Sequence, residues 1–287
     1  MISTFDYRTP TSLKEACGLL WDFRAEAKVI AGGTDMVIGL RNGSLRPRCL
    51  VDITRIEEIR KIEEEGDCIS IGAGATHSNL ASSPLLHRFG RVLSVAASSV
   101  GSPQIRNLGT LGGNIVNASP AADTLPSLMV LDAVGRVASI REERDIPLVQ
   151  LFNRPYQSIL KPFEILTHVR FPKLPAGTRS GFIRLARREA MAVARMSVAV
   201  IARLEGGRFQ DIRISAGSVT PTPHRMSEAE AVLKERAPDE ESLRLAARRV
   251  SDTIVRWSGV RPSTSYKVPV IEALFLRAMR EVLEGLG

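Results

Sequence analysis

Residues 101–123, GSPQIRNLGTLGGNIVNASPAAD, are the stretch that predicts how this chain is organised. Most of the residues are glycines or short polar side chains, and Gly109, Gly112 and Gly113 have no side chain at all. Glycine tolerates a positive φ and lets another group approach the backbone closely. Successive free N–H groups form a concave site for anions. With so little bulk for a core, we expect a loop lying against a phosphate-bearing ligand. The alternative is a tight double turn between strands.

A second glycine segment, KVIAGGTDM at residues 28–36, strengthens the ligand interpretation. The run at 27–30 predicts a strand, the two glycines a turn, and the residues after them a helix with Thr34 or Asp35 as its N-cap. Helix N-termini attract anions through free N–H groups and the macrodipole. The segment matches neither the dinucleotide-binding fingerprint nor the P-loop. Together, the two glycine segments predict two loops that converge on one elongated ligand.

Composition places the chain among ordinary globular proteins. It has 287 residues, 44% of them hydrophobic and 24% charged, which predicts two or three domains. The net charge is +8, but the arginines are spread along the chain and only 5% of residues are aromatic. We therefore expect no nucleic-acid binding. The charge indicates a solvated face or a docking surface for acidic partner subunits.

Targeting segments and metal-ligand motifs are not expected. No run approaches the roughly 18 apolar residues of a membrane helix, and residues 1–12 lack the pattern of a signal peptide, so we expect a cytoplasmic protein with no transmembrane segment. No CxxC or HxxxH spacing occurs, which argues against a metal or iron–sulfur site held by this chain. We expect the histidines to be surface or hydrogen-bonded residues. The scattered cysteines and histidines are Cys17, Cys49, Cys68, His77, His87, His168 and His224.

Local patterns predict an α+β chain. Ser12 and Glu15 predict a capping box for the first helix, and Ser227 and Glu230 predict another. The proline- and glycine-rich stretch at 171–181 predicts a domain boundary. Strands are predicted at 27–30, 49–53, on both sides of a turn at 66–67, and at 136–140, 144–147, 165–171, 182–186, 196–204 and 209–219. Helices are predicted at 12–22, 76–86, 91–101, 125–133, 229–235, 239–253 and 269–283.

The candidate chemistry is binding rather than proton transfer. We find no nucleophile elbow and no catalytic Cys–His signature. Asp35, Asp123 and Asp132 lie in or beside the glycine segments, where a carboxylate can accept hydrogen bonds from a ribose or a ring. For Asp123 the alternative is a helix N-cap alone, and for Asp132 it is a surface residue at a helix end. Such a site suits a redox cofactor that carries the reaction itself.

Three segments carry a family resemblance: AGGTDM, SPQIRNLGTLGGNIVNASPAADTLPSLMVLDA and EILTHVRFP. They resemble the FAD-binding subunit of molybdenum hydroxylases, a family that includes carbon monoxide dehydrogenase medium subunits and the flavin domain of xanthine dehydrogenase. The similarity runs from Phe5 to about Val200 and continues to the end. It implies a two-part FAD-binding region like the vanillyl-alcohol-oxidase fold, with a small α/β subdomain and a strand-rich α+β subdomain. A C-terminal α+β domain with a three-stranded antiparallel sheet and helices follows.

The resemblance also implies which residues meet the cofactor. Leu111 replaces the commoner isoleucine, and Arg184 stands where many members carry lysine. Thr34 stands where some distant flavin oxidases have a histidine bonded to the flavin, so non-covalent FAD is expected. The implied FAD-binding residues are Lys28, Val29, Ile30, Ala31, Gly32, Gly33, Thr34, Asp35, Met36, Gly109, Thr110, Leu111, Gly112, Gly113, Asn114, Ser119, Asp123, Asp132, Leu166 and Arg184.

By the same resemblance, residues 1–175 form the FAD-binding domain, with subdomains at about 1–56 and 57–175, and residues 178–287 form the C-terminal domain. Electrons would come from 2Fe–2S clusters of a small partner subunit and go to NAD, a quinone or oxygen. The molybdenum cofactor would lie in a large partner subunit, in a dimer of heterotrimers. Two other functions stay open: a free-standing FAD-dependent oxidase or dehydrogenase, and a non-catalytic nucleotide-binding assembly module.

Overall fold

The computed structural model describes residues 4–188 and 193–284. The described residues form both helices and mainly antiparallel sheets, so the α+β prediction is confirmed. No helix within these two ranges is both long and apolar enough to cross a membrane. The strands are β1 (Asp6–Arg8), β2 (Ala27–Ile30), β3 (Cys49–Asp52), β4 (Ile62–Glu65), β5 (Cys68–Gly72), β6 (Val134–Ala138), β7 (Glu143–Pro147), β8 (Phe152–Arg154), β9 (Gln157–Ser158), β10 (Ile165–Pro172), β11 (Arg179–Ala186), β12 (Ala194–Glu205) and β13 (Arg208–Gly217).

The helices are short in the first two thirds of the chain and long at its end. They are α1 (Leu13–Phe23), α2 (Met36–Arg41), α3 (His77–Ser82), α4 (Pro84–Phe89), α5 (Arg91–Ser98), α6 (Pro103–Leu108), α7 (Leu111–Asn117), α8 (Thr124–Val130), α9 (Ser227–Leu233), α10 (Glu240–Ser258) and α11 (Thr264–Glu284).

The first unit is a parallel sheet of three strands in the order β1–β3–β2. Helix α1 packs on this sheet through an apolar stripe in which Ala16 and Leu20 are fully buried. The predicted capping box is half formed. The Ser12 hydroxyl accepts the Glu15 N–H at 3.3 Å, but the Glu15 carboxylate accepts the N–H of Thr11 instead of that of Ser12.

The second unit is an antiparallel sheet of five strands in the order β4–β5–β10–β6–β7, with a small β8–β9 pair beside it. Helices α3 to α8 lie between the strands β5 and β6 in sequence and contribute to one core with the sheet. Fully buried members of that core include Ile71, Leu93, Leu128 and Phe171.

The third unit is the antiparallel sheet β11–β12–β13 with α9 to α11. Its central strand β12 is buried on both faces because alternate side chains point to opposite sides of a sheet. Ala199 and Ile201 join the core of the five-stranded unit. Val198 and Val200 join a separate core with the C-terminal helices. This explains the nearly continuous apolar run of β12.

The stretch 101–123 contains two short helices, α6 and α7, so the prediction of a loop is wrong. Ser102 accepts the N–H of Ile105 at the start of α6, and Thr110 accepts the N–H of Gly113 at the start of α7. Leu111 and Ile115 are fully buried, so the stretch does contribute to the core. The small residues of this stretch do not prevent helix formation. They allow α7 to pack closely against neighbouring backbone.

Another correction concerns the segment predicted as one helix at 76–86. Thr76 forms a capping box with Asn79 at the start of α3. The helix then ends, and Ser83 accepts the N–H of Leu86 to begin α4 with Pro84 as its first residue. Proline at this position needs no N–H partner, so a new helix starts here at little cost.

The predicted capping box at Ser227 and Glu230 is also wrong. Helix α9 begins at Ser227, and its N-cap Met226 makes no side-chain capping bond. Glu230 turns instead to the sheet, where Oε1 accepts the N–H of Ile214 at 2.8 Å and the carboxylate pairs with Arg225. A tertiary ion pair with nearly full burial of Glu230 has replaced the local bond.

Candidate functional site

A cavity of about 420 Å³ lies between the two glycine segments. This volume falls in the usual range for small-molecule sites. The structure brings together fifteen of the twenty predicted residues in its lining. They are Lys28, Val29, Ile30, Ala31, Gly32, Gly33, Thr34, Asp35, Met36, Gly109, Thr110, Gly112, Gly113, Asn114 and Leu166.

The first segment leaves backbone donors at the cavity. Strand β2 ends at Ile30, the chain turns at Gly33 with φ +70°, and α2 begins after its N-cap Asp35. The Asp35 side chain makes no capping bond. Among the described residues, no acceptor lies within hydrogen-bonding range of the backbone N–H groups of residues 32–35. This part of the cavity therefore offers a cluster of free donors suited to an anion.

Gly32 fixes the distance between the two segments. A Cβ built on Gly32 would lie 1.8 Å from the carbonyl oxygen of Leu108 and 2.9 Å from the nitrogen of Gly109. No side chain fits between these backbones. The two segments are thus in direct backbone contact along one edge of the cavity.

The backbone N–H groups of the second segment have hydrogen-bond partners within the protein, which differs from the prediction. The N–H of Leu111 donates to the Ala75 carbonyl at 2.9 Å, and the N–H of Gly112 donates to the Ala73 carbonyl at 2.8 Å. The N–H of Gly113 donates to Thr110 Oγ1 at 3.1 Å. The prediction that these N–H groups are free for a ligand is therefore wrong. Helix α7 lines the cavity with Gly112 and Gly113, which have no side chain, and with Asn114, Val116 and Asn117.

Five predicted residues do not line the cavity. Leu111, the first residue of α7, is fully buried in the core of the five-stranded unit. Ser119 lies in the turn after α7, where its hydroxyl accepts the N–H of Ala121. Asp123, Asp132 and Arg184 lie farther along the chain and take part in ion pairs.

Asp123 and Arg184 form an ion pair that is almost fully buried. Nε of Arg184 donates to both carboxylate oxygens of Asp123, at 3.2 and 3.1 Å, and the two side chains are 11% and 7% exposed. Asp123 occupies the N-cap position of α8, but its side chain makes no capping bond. Burial raises the pKa of Asp123 to about 6, and the guanidinium of Arg184 opposes that rise. The pair joins the first turn of α8 to β11.

Asp132 lies where the five-stranded unit meets the third unit. Its backbone has φ +49°, and its carboxylate accepts from Arg225 at 2.9 and 3.1 Å. Arg213 on β13 lies 3.0 Å from the same carboxylate. Through these ion pairs, Asp132 links the five-stranded unit to the third unit.

Sequence reasoning missed several residues of the cavity wall. Most are apolar residues brought in by tertiary packing. They are Leu45, Ile53, Ala73, His77, Val100, Ile105, Val116, Asn117, Tyr156, Leu160, Glu164 and Ile165.

His77 departs from the expectation of a surface or hydrogen-bonded histidine. It is the first residue of α3, is 2% exposed, and its Nδ1 is enclosed without a hydrogen-bond partner. Burial, and secondarily the guanidinium of Arg106, lower the pKa of His77 to about 4. The ring is therefore neutral at physiological pH. The only signal in the sequence was its place in a run of small residues, GAGATH.

Glu164 supplies a buried carboxylate to the same wall. Nη2 of Arg144 donates to both of its oxygens at 2.9 Å, and the N–H of Lys161 donates to Oε2 at 2.8 Å. The Glu164 side chain is 2% exposed. Because its charge is compensated within the protein, this carboxylate shapes the wall and adds no free charge to it.

Metal-binding groups are not gathered here. Over residues 4–188 and 193–284, no three His, Cys, Asp or Glu side chains are placed to hold a metal ion. The cavity instead offers the backbone N–H groups of residues 32–35, which suit an anionic group.

Comparison with known families decides which ligand. Residues 3–174 match the family described as "FAD binding domain in molybdopterin dehydrogenase". This chain belongs to that FAD-binding family. Residues 182–282 match the "CO dehydrogenase flavoprotein C-terminal domain". The glycine segments and the cavity between them all lie in the FAD-binding part.

Individual proteins of this FAD-binding family match along their whole length. The chain is 30% identical to the nicotinate dehydrogenase FAD-subunit of Eubacterium barkeri, over 98% of this chain and 97% of the relative. It is 31% identical to a putative xanthine dehydrogenase FAD-binding subunit of Escherichia coli K12, over 100% and 99%. In structure it is similar to carbon monoxide dehydrogenase from Hydrogenophaga pseudoflava, with a TM-score of 0.92, 30% identity and 99% of each chain covered.

These matches confirm four predictions made from the sequence: the family, the α+β fold, FAD as the cofactor, and an oxidoreductase flavoprotein subunit of the molybdenum hydroxylases. The residue-by-residue assignment of the FAD site remains a prediction.

Proposed function

We propose that this chain binds FAD in the cavity between its two glycine segments and serves as the electron-transfer subunit of a heteromeric molybdenum hydroxylase. The observation that carries the proposal is the cavity itself, which the FAD-binding part of the chain builds from both segments. FAD, when bound, supplies the redox chemistry of the subunit. The chain supplies binding, orientation and exclusion of water.

The anionic part of FAD lies against residues 32–35. Their four N–H groups have no acceptor among the described residues, and Gly33 takes a positive φ that turns the backbone around the ligand. A pyrophosphate provides the acceptors that these donors lack. Gly32 has no space for a side chain, so the backbone alone forms this part of the site.

The ring end of FAD lies against the apolar wall that includes Ile165, Leu166 and Leu160. The glycine surface of α7 allows the ring to approach closely. Ser119, Asp123 and Arg184 do not line the cavity, and we propose that they contact the cofactor only beyond the end of α7. Leu111 supports the site through its burial in the core, and Asp132 supports it through its contact with Arg225. Thr34 takes the place of a covalent attachment point, so the FAD is bound non-covalently.

The division of labour follows the two matched regions. Residues 1–175, with subdomains at about 1–56 and 57–175, bind FAD, and residues 178–287 form the C-terminal domain; the family matches at 3–174 and 182–282 support this division. Relatives are named as medium chains and FAD-subunits, which implies further chains. We propose a large subunit with the molybdenum cofactor and a small subunit with 2Fe–2S clusters, assembled as a cytoplasmic dimer of heterotrimers.

The test is anaerobic absorbance of the FAD-loaded full chain, with and without its co-expressed partner subunits. Candidate substrates are aldehydes, purines, N-heterocycles and carbon monoxide. The expected result is flavin bleaching by a substrate only in the presence of the partners, while dithionite bleaches the flavin of the isolated chain. Bleaching of the isolated chain by a substrate would instead indicate a free-standing flavoenzyme. A chain that does not bind FAD would indicate an assembly module.

A further inference from the structure

His77 is a buried polar residue of the cavity wall, and its ring has no hydrogen-bond partner within residues 4–188 and 193–284. Its ring is 2% exposed and lines the cavity. It packs under the second glycine segment, because a Cβ on Gly109 would lie 3.3 Å from its Cδ2 and 3.7 Å from its Nε2. Buried polar side chains are nearly always hydrogen-bonded, so an exception requires an explanation.

The two ring nitrogens of His77 have different surroundings. Nδ1 is enclosed and has no partner among the described residues. Nε2 is not among the enclosed, unpartnered atoms, and no described residue bonds it, so it is the nitrogen that reaches the cavity. A neutral imidazole carries one N–H and one bare nitrogen. An enclosed N–H without an acceptor is the costlier defect, which favours a bare Nδ1 and a proton on Nε2.

The charge state is fixed by the surroundings. Arg106 on α6 is the charged group that acts on the ring, and its guanidinium is held by the carbonyls of Val100 and Gly101 at 3.0 and 3.5 Å. Burial and this cation both disfavour an imidazolium. His77 is therefore a neutral, rigid, single N–H donor.

We propose that His77 binds FAD directly, donating Nε2–H to an uncharged acceptor atom of the cofactor. This inference rests on the proposed FAD site. It gives the Nε2 of His77 the partner that no described residue provides. A charged acceptor such as a phosphate would instead favour protonation of the ring, which Arg106 opposes.

The first experiment reads the tautomer. Nitrogen-15 histidine labelling of the full, FAD-loaded chain gives signals for four histidines, and the signal missing from His77→Gln identifies His77. The expected spectrum shows a neutral ring with the proton on Nε2, coupled to a shift of that nitrogen when FAD is removed. A proton on Nδ1, an imidazolium, or no response to FAD would overturn the proposal.

The second experiment measures FAD affinity by fluorescence titration of the parent chain, His77→Phe and His77→Gln. Phenylalanine keeps the ring and removes the donor, so affinity should fall about 3–10-fold, the equivalent of one hydrogen bond. Glutamine places an amide N–H near the position of Nε2 and should recover most of the loss.

Unfolding of the FAD-free variants separates binding from folding. Equal FAD affinity in His77→Phe and the parent would overturn this inference while leaving the proposed function intact. A parent chain that fails to bind FAD would instead overturn the proposed function. If His77→Phe does not fold, the tautomer and its response to FAD decide the question.

Discussion

Gly32 and Leu108 are in backbone contact, so close that a Cβ on Gly32 would lie 1.8 Å from the Leu108 carbonyl oxygen. The residues belong to segments 76 positions apart (108 − 32) that meet at one edge of the cavity. This contact holds the N–H groups of residues 32–35 opposite α7. The FAD site is therefore an assembly of two segments, and neither segment forms it alone.

The first prediction concerns this contact. Gly32→Ala should force the two backbones apart, which should lower the free energy of unfolding by about 1–3 kcal/mol and weaken FAD binding. Denaturant unfolding and FAD titration measure the two effects. The matched control is Gly18→Ala in α1, where a new Cβ meets nothing within 4 Å; it should stabilise the chain by up to about 1 kcal/mol. Unchanged stability and FAD affinity in Gly32→Ala would contradict the backbone contact.

The second prediction compares the two glycines of α7. A Cβ on Gly112 would lie 2.7 Å from the Ala73 Cβ, whereas a Cβ on Gly113 meets only Thr110 Oγ1, at 3.0 Å. Gly112→Ala should therefore reduce stability. Gly113→Val should leave the fold largely intact but place a branched side chain in the cavity, with loss of FAD. Flavin content after purification and thermal unfolding distinguish these outcomes, and equal FAD content in Gly113→Val and the parent would reject the assigned position of the cofactor.

The third prediction concerns the buried pair of Asp123 and Arg184. Arg184→Met leaves the carboxylate without this guanidinium and should lower the free energy of unfolding at pH 8 by about 3–5 kcal/mol. The folded-state pKa of Asp123, already about 6, should rise further. Below this raised pKa the Asp123 carboxyl of the folded chain is protonated and uncharged, so leaving it buried without Arg184 costs less. The loss of stability should therefore shrink as the pH falls from 8 to 5.

Denaturant unfolding at both pH values checks this prediction. Adding Asp123→Asn to Arg184→Met should recover part of the loss at pH 8, since no buried charge is then left. The exposed pair of Arg48 and Glu26, 71% and 54% exposed, provides the control, and Arg48→Met should have a far smaller effect. A loss that does not depend on pH would mean that Arg184 acts through packing alone.

The fourth prediction concerns pH and His77 in the FAD-free chain. The pKa falls from 6.5 in the unfolded chain to about 4 in the folded chain, so the unfolded chain binds the proton more readily between these values. The stability present above pH 6.5 should decline as the pH is lowered toward 4, by about 3 kcal/mol in all. His77→Phe should remove this part of the pH dependence.

The control for that experiment is His87→Gln, because the His87 side chain is exposed and bonds only the Ala81 carbonyl. It should leave the decline in place. A His77→Phe variant with the same pH profile as the parent would show that His77 is not desolvated in the folded chain.

Much of the fold could be predicted because local patterns carry it. Helix α1 was predicted to within one residue, and the strands of the five-stranded sheet and of the antiparallel sheet β11–β12–β13 were predicted to within a few residues, whereas β1, β8 and β9 were not predicted. At residues 27–36 the sequence alone determined a strand, a glycine turn and a helix start. Those features depend on the conformational preferences of single residues and on neighbours within one turn, and both can be read from the sequence.

Tertiary structure decided how those elements are used. The sequence could not show that Ala73 and Ala75 accept the N–H groups of α7, because these partners are more than 30 residues away and any residue has a carbonyl to offer. Nor could it show that Glu230 bonds the sheet, that Arg225 holds Asp132, or that His77 is desolvated. Burial and ion pairing depend on which distant segments meet. In this protein the residues that bind a ligand are therefore suggested by local sequence, and their charge state and free hydrogen-bonding groups are fixed by packing.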